Sequence, residues 1–102
     1  MTAYLFIELR ITDKPQFLRY AEAARGIAAK FGAEYLSTGR PLEILEGEGI
    51  TTPIVLTAWP SADHIRAFWQ SEEYRQAAKL RVGAAEVKAT ILDGNERRPL
   101  PQ

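Results

Sequence analysis

The chain has 102 residues, 46% of them hydrophobic and 25% charged, with no cysteine and a single histidine. Thirteen basic and thirteen acidic side chains cancel to a formal net charge of zero, so there is no long-range pull on phosphate and nucleic-acid binding is not expected. Disulfides, thiolate metal sites and thiol nucleophiles are excluded, and one histidine cannot build a multi-histidine metal centre. The length suits one domain, expected over residues 1–94, followed by a polar, proline-rich arm over residues 95–102. No run is long enough to span a membrane and no signal-peptide pattern opens the chain, so the default expectation is a cytoplasmic protein.

Residues 3–11 alternate as a strand, with Leu5, Ile7, Leu9 and Ile11 on one side and Tyr4, Phe6, Glu8 and Arg10 on the other. Asp13 and Gln16 stand three apart like a capping box, and Pro15 falls in a first helical turn, where its missing N–H costs nothing. Phe17, Tyr20, Ala21, Ala24, Ile27, Ala28 and Phe31 then recur at spacings of three and four, one face of a helix that stops at Gly32. A second strand is expected over Glu34 to Thr38, turning at Gly39-Arg40-Pro41 into a short continuation from Leu42 to Glu46. Gly47-Glu48-Gly49 marks a loop. Pro53 to Trp59 reads as a third strand, apolar on both faces and therefore central in its sheet.

Ser61 is the expected N-cap of a second helix carrying Ile65, Phe68 and Trp69, and Ser71 restarts a helix through Tyr74, Ala77, Ala78, Leu80 and Val82. A last strand, Glu86 to Asp93, sets Val87, Ala89 and Ile91 against Lys88, Thr90 and Leu92. The order is β-α-β-β-α-β, the split pattern of an α+β, ferredoxin-like sheet with its helices on one face. The other face carries Tyr4 and Phe6, too apolar a patch to leave in water, and a second copy of the chain is its simplest cover.

Tyr35-Leu36-Ser37-Thr38-Gly39, Glu43 to Gly47, Trp59-Pro60-Ser61, the segment Phe68 to Tyr74 and Leu80-Arg81 together resemble a bacterial family known as domain of unknown function thirteen-thirty. It lies within the dimeric α+β barrel superfamily, and the likeness runs from the first strand to Gly94. Arg40 and Thr38 stand where that family usually shows a second glycine and an arginine. The resemblance implies a homodimer whose sheets face each other and brings no established reaction. Relatives in the superfamily include cofactor-free monooxygenases, lactone isomerases and haem enzymes, so the fold alone is a weak guide to chemistry.

His64 is the obvious acid–base residue, but no nucleophile stands at a recognisable spacing from it, and a solvated helix start is the expected place for it. Tyr20, Tyr35, Trp69 and Tyr74 each join an apolar body to a polar handle, the composition of a small-molecule cleft between helices and sheet. Arg81, Glu46 and Arg40 complete the ligand-binding candidates. Arg81 follows Leu80 beside an apolar stripe and must pair; a carboxylate such as Glu46, or one across the dimer, is favoured over an anionic ligand. Glu46 would serve as a base only if desolvated. Neither a phosphate-binding glycine fingerprint nor a metal-ligand spacing occurs, so no cofactor and no metal are expected. Two functions stay open. One is a homodimer binding a small aromatic or carbonyl compound, with cofactor-free catalysis as its extension; the other is a non-catalytic structural or interaction domain.

Overall fold

A computed structural model describes residues 2–94. The arm expected over residues 95–102 lies outside the described residues. The elements are β1 (Ala3–Ile11), α1 (Lys14–Lys30), β2 (Glu34–Gly39), β3 (Ile54–Trp59), α2 (Ala62–Gln70), α3 (Glu72–Ala78), a 3-10 turn (Lys79–Arg81) and β4 (Ala85–Asp93). The strands form one antiparallel sheet in the order β2-β3-β1-β4, with β3 and β1 in the middle. This is the ferredoxin-like α+β arrangement.

The local signals act as their chemistry requires. The Asp13 side chain accepts the Gln16 backbone N–H, Ser61 accepts that of His64, and Ser71 accepts that of Tyr74, so each helix start has an orphan donor satisfied. Gln16 does not close the expected box; its amide donates to the Leu80 carbonyl at 2.8 Å and ties α1 to the 3-10 turn. α1 ends in a Schellman motif, with Ala33 N–H on Ala28 O and Gly32 N–H on Ala29 O. Gly32 adopts φ +89, and a Cβ there would also press on the Pro60 ring at 2.8 Å, so glycine is needed twice over.

Register sorts the sheet's two faces. Ala3 stands opposite Trp59, Leu5 opposite Thr57 and Ile7 opposite Val55, and this set faces the helices. Leu5, Thr57 and Trp59 are buried there, with Phe17, Tyr20, Ile65, Phe68 and Tyr74 above them. The buried Thr57 hydroxyl accepts the Trp59 indole N–H at 2.8 Å and donates to the Leu5 carbonyl at 3.3 Å, so no polar group in that contact is stranded. Tyr4, Phe6, Leu56, Ala58 and Leu92 share the helix-free face.

Two expectations are corrected. Leu42 to Glu46 forms no strand: β3 begins at Ile54 opposite Gly39, so nothing lies beside the continuation, and Leu42 is 99% exposed. Val82 leaves the interior and is 78% exposed, because the helix tightens into the 3-10 turn and the chain reverses at Gly83, φ +78.

Candidate functional site

Toward the middle of the sheet α1 turns Phe17 and Tyr20 in its first turns and then the small Ala21, Ala24 and Ala28, while Ile27 packs on the core to one side. Methyl groups cannot reach the sheet. The helix makes most of its close backbone approaches to α3 and the 3-10 turn, and the space beneath it stays open. The result is a cavity of about 260 Å³. Leu5, Ile7, Leu9, Val55 and Thr57 form its sheet side, and Phe68, Trp69 and Tyr74 close one end. Exposed Tyr35 and Arg25 stand at its rim, with the Arg25 guanidinium 5.3 Å from the Tyr35 ring centroid.

Of the residues expected to bind a ligand, Tyr20, Tyr35, Trp69 and Tyr74 all line this one cavity. The Tyr20 and Tyr74 hydroxyls meet at 2.7 Å in a buried contact. Helical spacing brings Tyr20 inward behind Phe17, and the cap at Ser71 starts α3 so that Tyr74 projects toward it. Burial pushes the Tyr20 hydroxyl well above the usual phenol value and the adjacent Tyr74 adds to this, while the charge and N–H groups of Arg81 pull the other way.

That shift has a sign. In the unfolded chain Tyr20 ionises from about pH 10, whereas the folded chain keeps the proton, so the native state binds more protons above that point. Stability from this group is complete below pH 10 and falls as pH rises, by up to about 1.4 kcal/mol per pH unit. Tyr20→Phe should therefore flatten the alkaline limb of a urea-unfolding series taken to about pH 11; an unchanged limb would refute the assignment.

Arg81 has no carboxylate partner within the subunit among the described residues, where Lys30 pairs with Glu73 and Arg66 with Asp63, both on the surface. Its guanidinium carbon instead lies 5.6 Å from the Tyr20 ring centroid, and its Nε is buried without a hydrogen-bond partner. Within the subunit Glu46 does not supply that carboxylate, since it sits on the exposed 40–53 loop. Arg40 is not at the cavity either; it donates to the Thr51 carbonyl at 3.3 Å across the base of that loop. Exposure also deprives Glu46 of the desolvation a general base needs. His64 is exposed in the first turn of α2, its Nδ1 at 2.7 Å from the capping Ser61 hydroxyl.

The sequence alone does not single out Arg25 and Thr38 as lining residues. The alanine run on α1 was the available signal, since a stripe of small side chains facing a sheet leaves space as readily as it fills it. Among the described residues no cluster of three histidine, aspartate or glutamate side chains could hold a metal, and no helix is long and apolar enough to cross a membrane.

The family model described as "Domain of unknown function (DUF1330)" matches residues 2–95. No functionally curated protein matches the chain in sequence. Among solved structures, a protein of unknown function from Rhodopseudomonas palustris is similar with a TM-score of 0.72 at 16% identity, over 99% of this chain and 84% of that one. A dimeric ferredoxin-like protein of unknown function from Jannaschia has a TM-score of 0.66 at 14% identity, over 91% of this chain and 99% of its own. SnoaB, a cofactor-independent oxygenase from Streptomyces nogalater, has a TM-score of 0.67 at 10% identity, covering 99% and 98%. At these identities the likeness concerns the fold.

Proposed function

The chain belongs to the DUF1330 family, and from that premise we propose that it is a homodimer, each subunit holding a small aromatic or carbonyl compound between α1 and the sheet. The observation that carries this is the cavity of about 260 Å³, apolar in most of its lining but edged by tyrosine hydroxyls. An engineered protein cavity of about 150 Å³ holds benzene, so this one suits a compound of one or two rings. Apolar walls supply affinity by burial, and a few polar groups fix orientation.

The helix-free face supports the dimer. Tyr4, Phe6, Leu56, Ala58 and Leu92 lie side by side there, and a stable pairing needs to bury upward of about 1,000 Å² in total. The Jannaschia protein of this fold is described as dimeric, and the Streptomyces protein as an oxygenase working without a cofactor. Together they favour a pocket in a paired barrel, with cofactor-free chemistry on the bound compound as its extension. A non-catalytic interaction domain would have no use for the cavity.

Trp59 and Trp69 both line the cavity, so their fluorescence reports its occupancy. Titration with a panel of simple phenols, naphthols and quinones should give saturable quenching at one site per subunit, and sedimentation should give twice 11.4 kDa. Failure of the whole panel to quench would refute the ligand reading, and a monomer at micromolar concentration would refute the dimer.

A further inference from the structure

Resting on that cavity reading, we propose that the charge of Arg81 orients a one-way hydrogen-bond relay through Tyr20 and Tyr74 that ends on a ligand oxygen, so that the site takes a weakly acidic phenol or enol as its anion. The direction follows from Arg81. A guanidinium only donates, and this one lies 5.6 Å from the Tyr20 ring centroid with no carboxylate partner among the described residues. Its positive charge turns the Tyr20 hydroxyl so that the proton points away, toward the oxygen of Tyr74 at 2.7 Å. Tyr74 thus accepts from Tyr20, and its own proton remains unspent.

Tyr74 is only 2% exposed, so bulk water does not serve that hydroxyl, and the residue lines the cavity. A buried donor of this kind calls for an acceptor. The surrounding charges favour an anionic one. α1 brings Tyr20 and Arg25 to the lining, β2 brings Tyr35 and α3 brings Tyr74; β1, β3 and α2 bring no charged or titratable side chain, and no carboxylate among the described residues lines the cavity. Arg81 adds a second cation behind Tyr20, its Nε buried and unpartnered. Burial also keeps Tyr20 protonated at neutral pH, so a ligand that is the stronger acid carries the charge. Binding then takes a neutral phenol or enol, breaks its O–H bond, keeps the anion and releases one proton to solvent. Tyr74 touches the ligand, while Arg81 and Tyr20 act through it as positioning residues.

The test uses 4-nitrophenol, a single-ring probe that is yellow as the anion, colourless as the acid, and ionises near neutral pH. Tryptophan quenching measures its binding, and its colour measures its ionisation. The bound probe should stay yellow to about one pH unit below the point at which the free probe bleaches, a roughly tenfold preference for the anion. Tyr74→Phe and Arg81→Met should each remove that displacement while quenching persists, and Arg81→Lys should restore part of it. Should Arg81→Met fail to fold, the parent curve and Tyr74→Phe decide the matter between them. A bound probe that bleaches with the free one, or a displacement that survives Tyr74→Phe, overturns the relay alone. Absence of quenching by the parent overturns the cavity reading and the relay with it.

Discussion

Phe68→Ala is expected to cost about 3–5 kcal/mol of folding stability, the range for deleting a buried aromatic ring. Phe68 is only 3% exposed and sits where α2, α3 and the sheet converge. Its ring centroid lies 4.5 Å from that of Tyr74, 4.9 Å from Trp59, 5.8 Å from Phe31 and 6.4 Å from Trp69, so a single truncation removes the common partner of four other rings. Domains of this size are held by only about 5–15 kcal/mol. The loss therefore takes at least about a fifth of the total and should lower the melting temperature by at least about 12 °C. Thermal or urea unfolding of the variant checks it. A loss below about 1 kcal/mol would mean that the neighbouring rings collapse into the space, and that this cluster is not the keystone of the core.

The elements that the sequence makes legible are those set by neighbours along the chain. Asp13, Ser61 and Ser71 mark helix starts because a short polar side chain can reach an N–H three residues on, whatever the rest of the molecule does. Gly32 marks a stop because the Schellman turn needs a positive φ. β1 and β3 are recognisable as the central strands because both of their faces carry apolar side chains, which only an inner strand can bury. Leu42 to Glu46 has the composition of a strand and still forms none, since pairing depends on where β3 begins, a fact about another segment.

The candidate site divides along the same line. Tyr20 and Tyr74 can be placed inward by helical spacing, and both do line the cavity. Their 2.7 Å hydroxyl contact joins residues 54 positions apart, and periodicity carries no information at that range. Arg81 shows the limit most clearly. Its position beside an apolar stripe requires a partner, but charge counting suggests a carboxylate where the fold supplies a phenol ring and a tyrosine hydroxyl pair. The place of the cavity between helices and sheet is legible, but its size is not, because Ala21, Ala24 and Ala28 satisfy the pattern of a core-facing helix whether or not the space beneath them is filled.

Ala24→Phe should abolish ligand binding and leave the fold intact or firmer. Ala24 lines the cavity from α1, so a phenyl ring on its Cβ enters the space a ligand would use. Since a cavity of about 150 Å³ is enough for benzene, one ring leaves too little of the 260 Å³ present for an aromatic ligand beside it. Voids cost about 24 cal/mol per Å³ in cores that cannot collapse, so filling about 100 Å³ would return about 2 kcal/mol. A poor rotamer would subtract about 1–3 kcal/mol through overpacking, which leaves the balance within about 1 kcal/mol of zero, whereas a good one keeps the gain. The expected result is an unchanged or higher melting temperature together with loss of saturable quenching of Trp59 and Trp69. Binding that persists in a folded variant would place the ligand elsewhere. Unfolding by several kcal/mol would show that the space is already required by neighbouring side chains. Stability gained at the expense of binding marks a void that serves an occupant, because filling an idle void stabilises a core equally well but removes no binding.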